Sequence, residues 1–212
     1  GYVQSLEEIF ANNHAHYPVI LPLALDVPED KLPHLRLHNG TIWRWNRPLI
    51  GFDDDGTPHL RIEHRPMAAG PSIVDMIATM AFYYGLVEWL AMEPHAPEFH
   101  LPFSTAKNNF YNAARLGLAA HIDWYDGKHW SLPKLIHDVL IPQAEKGLRA
   151  LHVDPALTSR YLAIIEARTA TAQTGAAFQR KFIARHGRDL PALVRAYRDL
   201  QATGQPVHTW TI

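Results

Sequence analysis

The sequence contains no cysteine among its 212 residues. Disulfide bonds, thiolate nucleophiles and thiolate zinc sites are therefore excluded. A chain without cysteine is compatible with the reducing cytoplasm, and we expect a cytoplasmic protein. The sequence also begins at Gly1 and has no methionine before Met67, so we expect it to be a fragment of a longer chain.

The sequence has no strong excess of charge of either sign. Lys and Arg number 20 against 21 Asp and Glu, a balance that does not attract nucleic acid or anionic membranes. We therefore expect neither as a partner. The section 149–199 is locally basic, with nine Lys or Arg and four Asp or Glu. A solvated helical face is the simpler interpretation of that section, and an acidic or phosphate-bearing partner is the alternative.

Long hydrophobic runs are also scarce. The uncharged apolar run Met76–Val87 covers 12 residues, whereas about 20 are needed to cross a bilayer. This run predicts a buried core helix rather than a membrane span.

Several catalytic signatures are missing. The sequence has no G-x-S-x-G, no Walker A motif, no G-x-G-x-x-G and no H-E-x-x-H, so a nucleophile elbow and P-loop or Rossmann nucleotide sites are not indicated. The 14 histidines include the pairs His14/His16 and His34/His38, whose spacings suit zinc ligands. Such pairs arise by chance in a histidine-rich chain, which we consider the better interpretation.

Residues 41–67 have the pattern of a β-hairpin. The segments "TIWRWNRPLI" and "HLRIEHRPM" flank the turn "GFDDDGTP", in which Asp55-Gly56 is a strong turn signal. We expect Pro48 and Pro66 to limit the paired length, because proline has no N–H to donate. Two strands alone are marginal, so further strands should come from the first 40 residues, an upstream part or another subunit.

The chain after residue 71 is expected to be helical. Capping residues mark the helix starts, and the first of these helices is apolar nearly all round, which predicts deep burial. The expected fold class is α+β and mainly helical, with a short antiparallel hairpin or partial sheet followed by about five helices. Residues 1–71 form the β-containing part and residues 72–212 the helical part of one expected unit. The capping residues expected in this helical part are Ser72, Ser104 or Thr105, Ser131, Asp154 and Asp189. Ser5 is the expected cap of a short helix near the start of the chain.

The second strand of the hairpin alternates charged and apolar residues. Alternation places Arg61, Glu63 and Arg65 on one face. A carboxylate between guanidiniums stays ionised and suits a hard cation such as Mg²⁺, and guanidiniums suit phosphate. The alternatives are a solvent-facing ladder of charges and a metal–phosphate site.

The first strand adds further cations. In "TIWRWNRP" we expect Arg44 and Asn46 on one face and Arg47 with two tryptophans on the other. The pairing register is unknown from the sequence, so it stays open which arginine joins Glu63.

Four blocks carry a resemblance to a known family. In order they are "NGTIWRWNRPL", "LRIEHRPMAAGPSIVDMIA", "NNFYNAARLGLAAHIDW" and "EARTATAQTGAAFQ". Over about residues 38–180 the chain resembles the C-terminal half of the glutamate–cysteine ligase family. That family is similar in fold to glutamine synthetase, in which a curved antiparallel sheet holds ATP and Mg²⁺ or Mn²⁺ with helices outside. The resemblance implies that this chain supplies one wall of such a sheet.

The resemblance also implies a reaction. ATP phosphorylates a small-molecule acid, and an amine then attacks the acyl phosphate to form an amide, as in glutathione biosynthesis. Glu63 is implied as the metal ligand and Arg65 as the catalytic residue that meets the transferred phosphate. The substrate- or phosphate-binding residues implied are Arg44, Arg47 and Arg61. A non-catalytic nucleotide-binding module and a helical interaction module remain the alternatives, and self-association is left open.

Overall fold

The computed structural model describes all residues, 1–212, and the protein is α+β and mainly helical, as expected. The chain divides into two compact units, Gly1–Ala68 and Ala69–Ile212. Each unit is described by itself.

The first unit contains two helices and one hairpin. Its elements are α1 (Leu6–His16), a 3₁₀ turn (Glu29–Lys31), α2 (Pro33–Thr41), β1 (Asn46–Phe52) and β2 (Pro58–His64). The predicted Ser5 cap of α1 is confirmed, since Ser5 Oγ accepts the Glu8 N–H at 3.1 Å. The Glu8 carboxylate accepts the N–H of Gln4, the residue before the cap, at 2.8 Å.

The predicted hairpin is also confirmed. β1 and β2 pair antiparallel, from Asn46 opposite His64 to Phe52 opposite Pro58, and Gly56 closes the turn with a φ of +88°. The expectation that Pro48 limits the pairing is wrong. Pro48 lies in a pair that makes no ladder hydrogen bond, because the ladder bonds join odd-numbered residues, so its missing N–H costs nothing.

Buried asparagines join the helices of the first unit to its hairpin. Asn13 Nδ2 donates to Asn39 Oδ1 at 3.0 Å, and Asn39 Nδ2 donates to the Pro48 carbonyl at 2.8 Å. Helix α2, which carries Asn39, was not predicted. It follows Leu32, whose φ is +51°, and no side chain caps it, so the sequence offered no polar start signal.

The second unit contains seven α-helices, α3 to α9, where about five were expected, and a second small hairpin. The elements are α3 (Ile73–Met92), α4 (Phe103–Leu116), β3 (His121–Asp123), β4 (His129–Ser131), α5 (Leu132–Leu135), a π-helical segment (Ile136–Leu140), α6 (Ile141–Ala150), α7 (Pro155–Ala170), α8 (Gly175–His186) and α9 (Leu190–Ala202).

The predicted caps were right at three of these helices and wrong at two. Ser72, Asp154 and Asp189 accept backbone N–H groups at the starts of α3, α7 and α9. Helix α4 instead begins at Phe103, before Ser104 and Thr105, and has no side-chain cap. Ser131 precedes α5 without capping it. A π-helical segment, Ile136–Leu140, lies just before Pro142, which stands in the first turn of α6.

The expectation that α3 is deeply buried is wrong. One face packs against α6 and α7, while Ile73 is 72% and Tyr84 53% exposed. Because α3 is apolar nearly all round, its sequence does not indicate which face is covered by other helices. With 20 residues and a mean hydropathy of 1.3, α3 is long and apolar enough to cross a membrane, a property that core helices share.

Helices α3 and α6 approach one another closely at two glycines. A Cβ atom on Gly147 would lie 1.9 Å from the Gly85 carbonyl oxygen, and one on Gly85 would lie 2.3 Å from the Ala144 carbonyl oxygen. The contact therefore depends on the absence of side chains at both positions.

Candidate functional site

The structure confirms that charged side chains share one face of the hairpin, and the strand register shows which residues belong to that face. Arg47 lies opposite Glu63, and Leu49 lies opposite Arg61. Residues directly opposite one another share a face, so Arg47 joins the face of Arg61 and Glu63. Arg65 continues the same ladder, since its N–H donates to the Trp45 carbonyl at 2.9 Å.

Glu63 lies between two guanidiniums. Its Oε2 atom is 2.7 Å from Arg47 Nη2, 2.9 Å from Arg47 Nε and 2.9 Å from Arg65 Nε. Arg47 is also held from the other side, because its Nη1 donates to the Gly40 carbonyl at 2.9 Å. Its side chain is only 11% exposed, which makes it the most fixed of the three.

These contacts lower the pKa of the Glu63 carboxyl below its ordinary value. The hydrogen bond from Arg65 is the largest cause, and the charge of Arg47 adds to it. Glu63 is therefore ionised at neutral pH, and the group of Arg47, Glu63 and Arg65 carries one net positive charge.

The structure does not bring Arg44 to this group. Arg44 precedes β1, and its guanidinium donates to Asn12 Oδ1 at 2.8 Å and to Asn13 Oδ1 at 2.6 Å. It also lies 5.7 Å from the centre of the Tyr17 ring. The predicted strand face of Arg44 and Asn46 is wrong, because β1 begins only at Asn46.

Arg61 occupies the predicted face but stands apart from the Glu63 group. It is exposed and forms no ion pair, since both arginine contacts to Glu63 come from Arg47 and Arg65. The two tryptophans expected on the face of Arg47 are exposed as well: Trp43 is 58% and Trp45 44% exposed, with ring centres 4.5 Å apart.

The chain contains no group of three or more His, Asp or Glu side chains placed to hold a metal ion by themselves. Glu63 receives its contacts through Oε2 alone. Mg²⁺ is often bound by one carboxylate together with waters and substrate phosphates, and Glu63 Oε1 could serve as that single protein ligand.

One feature of the group was beyond sequence reasoning. The Gly40 carbonyl fixes Arg47 from the end of α2, a helix that has no side-chain cap and was not predicted. Only the folded unit shows why Arg47, rather than Arg44 or Arg61, became the partner of Glu63.

Comparisons with protein-family models, with curated proteins and with solved structures found no match to this chain.

Proposed function

We propose that this chain is the C-terminal part of an ATP- and Mg²⁺-dependent carboxylate–amine ligase that forms an amide through an acyl phosphate. The observation that carries the proposal is the placement of Glu63 Oε2 between Arg47 and Arg65 on one face of a hairpin. A guanidinium and a metal ion held by a neighbouring carboxylate are the groups that neutralise the charge of a phosphoryl group during transfer.

Each member of the group has a distinct role in the proposal. Glu63 offers one oxygen to Mg²⁺, which supplies Lewis-acid neutralisation of phosphate charge when bound. Arg65 is 29% exposed, so its remaining N–H groups are open to the transferred phosphoryl oxygens. Arg47 is nearly buried and bound to Gly40, so we assign it to positioning Glu63 rather than to contact with substrate.

The resemblance of the four sequence blocks to the glutamate–cysteine ligase family supports the same reaction. It adds the proposals of a glutamine-synthetase-like sheet and of a small acid and an amine as substrates, and the absence of cysteine adds the proposal of a cytoplasmic location. The hairpin supports the first of these, since two antiparallel strands with one charged face suit the wall of a larger sheet.

The test is ATP turnover by the protein that contains this chain. ATP hydrolysis should depend on the presence of both an acid and an amine. Arg65→Ala and Glu63→Gln should each reduce turnover by about a hundredfold or more, with an unchanged circular dichroism spectrum. Arg160→Ala is the control, because Arg160 is an exposed arginine that rests on a ring 5.5 Å away and forms no ion pair. Wild-type turnover in Arg65→Ala would refute the site.

A further inference from the structure

A second cluster of arginines lies on the hairpin, outside the Glu63 group. A cleft of about 200 Å³ is bounded by Phe10 of α1, by two residues of α2 and by the middle of the hairpin. The lining residues are Phe10, Arg36, Asn39, Leu49, Ile50 and Arg61. Two of them are arginines and none is acidic.

Neither arginine of the cleft has a carboxylate partner. Glu63 is the acidic residue nearest to Arg61 on its strand face, and Arg47 and Arg65 already occupy it. Arg61 is therefore left with an unneutralised charge. Arg36 is likewise free of ion pairs, and its guanidinium lies over the Phe52 ring, 5.5 Å from the ring centre. That contact holds the charge in place without neutralising it.

The remaining walls of the cleft are apolar or already satisfied. Phe10, Leu49 and Ile50 supply the apolar part of the cleft wall. The Asn39 side chain is committed, since it accepts from Asn13 and donates to Pro48. The cleft therefore offers a ligand positive charge and donor groups from two guanidiniums.

We propose that this cleft binds one small oxyanion, a phosphate or a carboxylate group, between Arg36 and Arg61. A guanidinium fork can donate two parallel hydrogen bonds to two oxygens of either anion. The volume is below the roughly 300–1,000 Å³ of clefts for drug-sized ligands, so the site suits a single anionic group rather than a whole nucleotide. The proposed ligase group of Arg47, Glu63 and Arg65 shares no side chain with the cleft, and Arg61, for which the resemblance implied a ligase role, lies outside that group, so this binding does not depend on the proposed ligase activity.

The experiment is a titration of the full chain with inorganic phosphate, and separately with acetate, at constant ionic strength. Arginine Nε–Hε resonances report which guanidiniums are touched. We expect the signals of Arg36 and Arg61 to shift and those of Arg160 to stay in place. Saturation by phosphate alone, by acetate alone or by both supports the site and identifies the anion that it accepts.

Variants separate this site from its neighbour. Arg36→Gln and Arg61→Gln should each weaken binding about tenfold to a hundredfold, the effect of losing a charged hydrogen-bond partner. Arg160→Gln is the matched control, because Arg160 also lies 5.5 Å from a ring centre but outside the cleft. Arg65→Ala should leave this binding intact even where it removes ligase turnover. Unshifted Arg36 and Arg61 signals, or equal binding by Arg61→Gln and wild type, would overturn the proposal.

Discussion

Replacing Gly147 by alanine should destabilise the second unit, although alanine is the better helix former. The added Cβ atom would lie 1.9 Å from the Gly85 carbonyl oxygen and 2.9 Å from the Trp89 backbone nitrogen. Carbon–oxygen contacts between packed helices run at about 3.3–3.6 Å, so α3 and α6 would have to separate by roughly 1.5 Å. Both obstructing atoms belong to the backbone and cannot rotate away.

The magnitude follows from two opposing effects. Overpacking of a close contact costs about 1–3 kcal/mol, and a backbone obstruction places this site at the upper end. The gain in helix propensity returns about 1 kcal/mol. We expect a net loss of about 2 kcal/mol, which for a protein of this length lowers the melting temperature by roughly 4–8 °C.

Thermal unfolding followed by circular dichroism, with hydrogen exchange of the α3 and α6 amides, measures this loss. Gly40→Ala is the matched control, because Gly40 also lies in a helix but a Cβ atom there would meet nothing within 4 Å. That variant should be neutral or more stable by up to about 1 kcal/mol. Equal melting temperatures for Gly147→Ala and wild type would refute the close helix contact.

Three further changes test other contacts. Arg65→Ala should raise the pKa of Glu63 toward its ordinary value, measured by carboxyl-carbon NMR, because the Arg65 hydrogen bond is the largest cause of its lowering; an unchanged pKa would contradict that contact. Ser72→Ala should cost about 2 kcal/mol in chemical denaturation, since its hydroxyl both caps α3 and donates to a fully buried carboxylate; a loss within about 0.5 kcal/mol would be too small for this double role. Asp138→Asn should lower the pKa of His137, because the hydrogen bond to Asp138 is the largest cause of its being raised, and NMR titration measures the change. The stability that the pair contributes is fully present below about pH 6.5 and is lost as the pH rises through the pKa of His137 in the folded protein.

Local polar signals allowed part of the fold to be predicted. Ser5, Ser72, Asp154 and Asp189 each cap the helix that the sequence assigned to them. Asp55-Gly56 likewise marked the hairpin turn, because a positive φ there needs glycine. These features depend only on residues close together in the sequence, so they can be predicted without knowing the fold.

Features set by tertiary contacts could not be predicted in the same way. Helix α2 begins without a cap, and β3 and β4 are three-residue strands too short to show alternation. The burial of α3 depended on which neighbours cover it, which an all-apolar sequence does not specify.

The candidate site likewise has a part that local sequence predicts and a part that only tertiary contacts determine. Alternation correctly placed Arg61, Glu63 and Arg65 on one face, since that depends only on strand geometry. The partner of Glu63 depended on strand register and on the Gly40 carbonyl that holds Arg47. Arg44 was misplaced because β1 starts two residues after it, and Asn12 and Asn13 bind its guanidinium instead.

Transfer of oxygen from the acid to phosphate tests the proposed reaction most directly. The protein containing this chain is incubated with Mg²⁺, ATP, an amine and an acid labelled with ¹⁸O in its carboxylate, chosen as a pair that supports ATP turnover, and the released phosphate is analysed by mass spectrometry. If the carboxylate attacks the γ-phosphorus and the amine then displaces phosphate, one labelled oxygen leaves with each phosphate. We predict labelled phosphate from the wild type and from Arg160→Ala, and at least about a hundredfold less from Arg65→Ala. Unlabelled phosphate released together with amide product, or equal labelling by Arg65→Ala, would contradict the account.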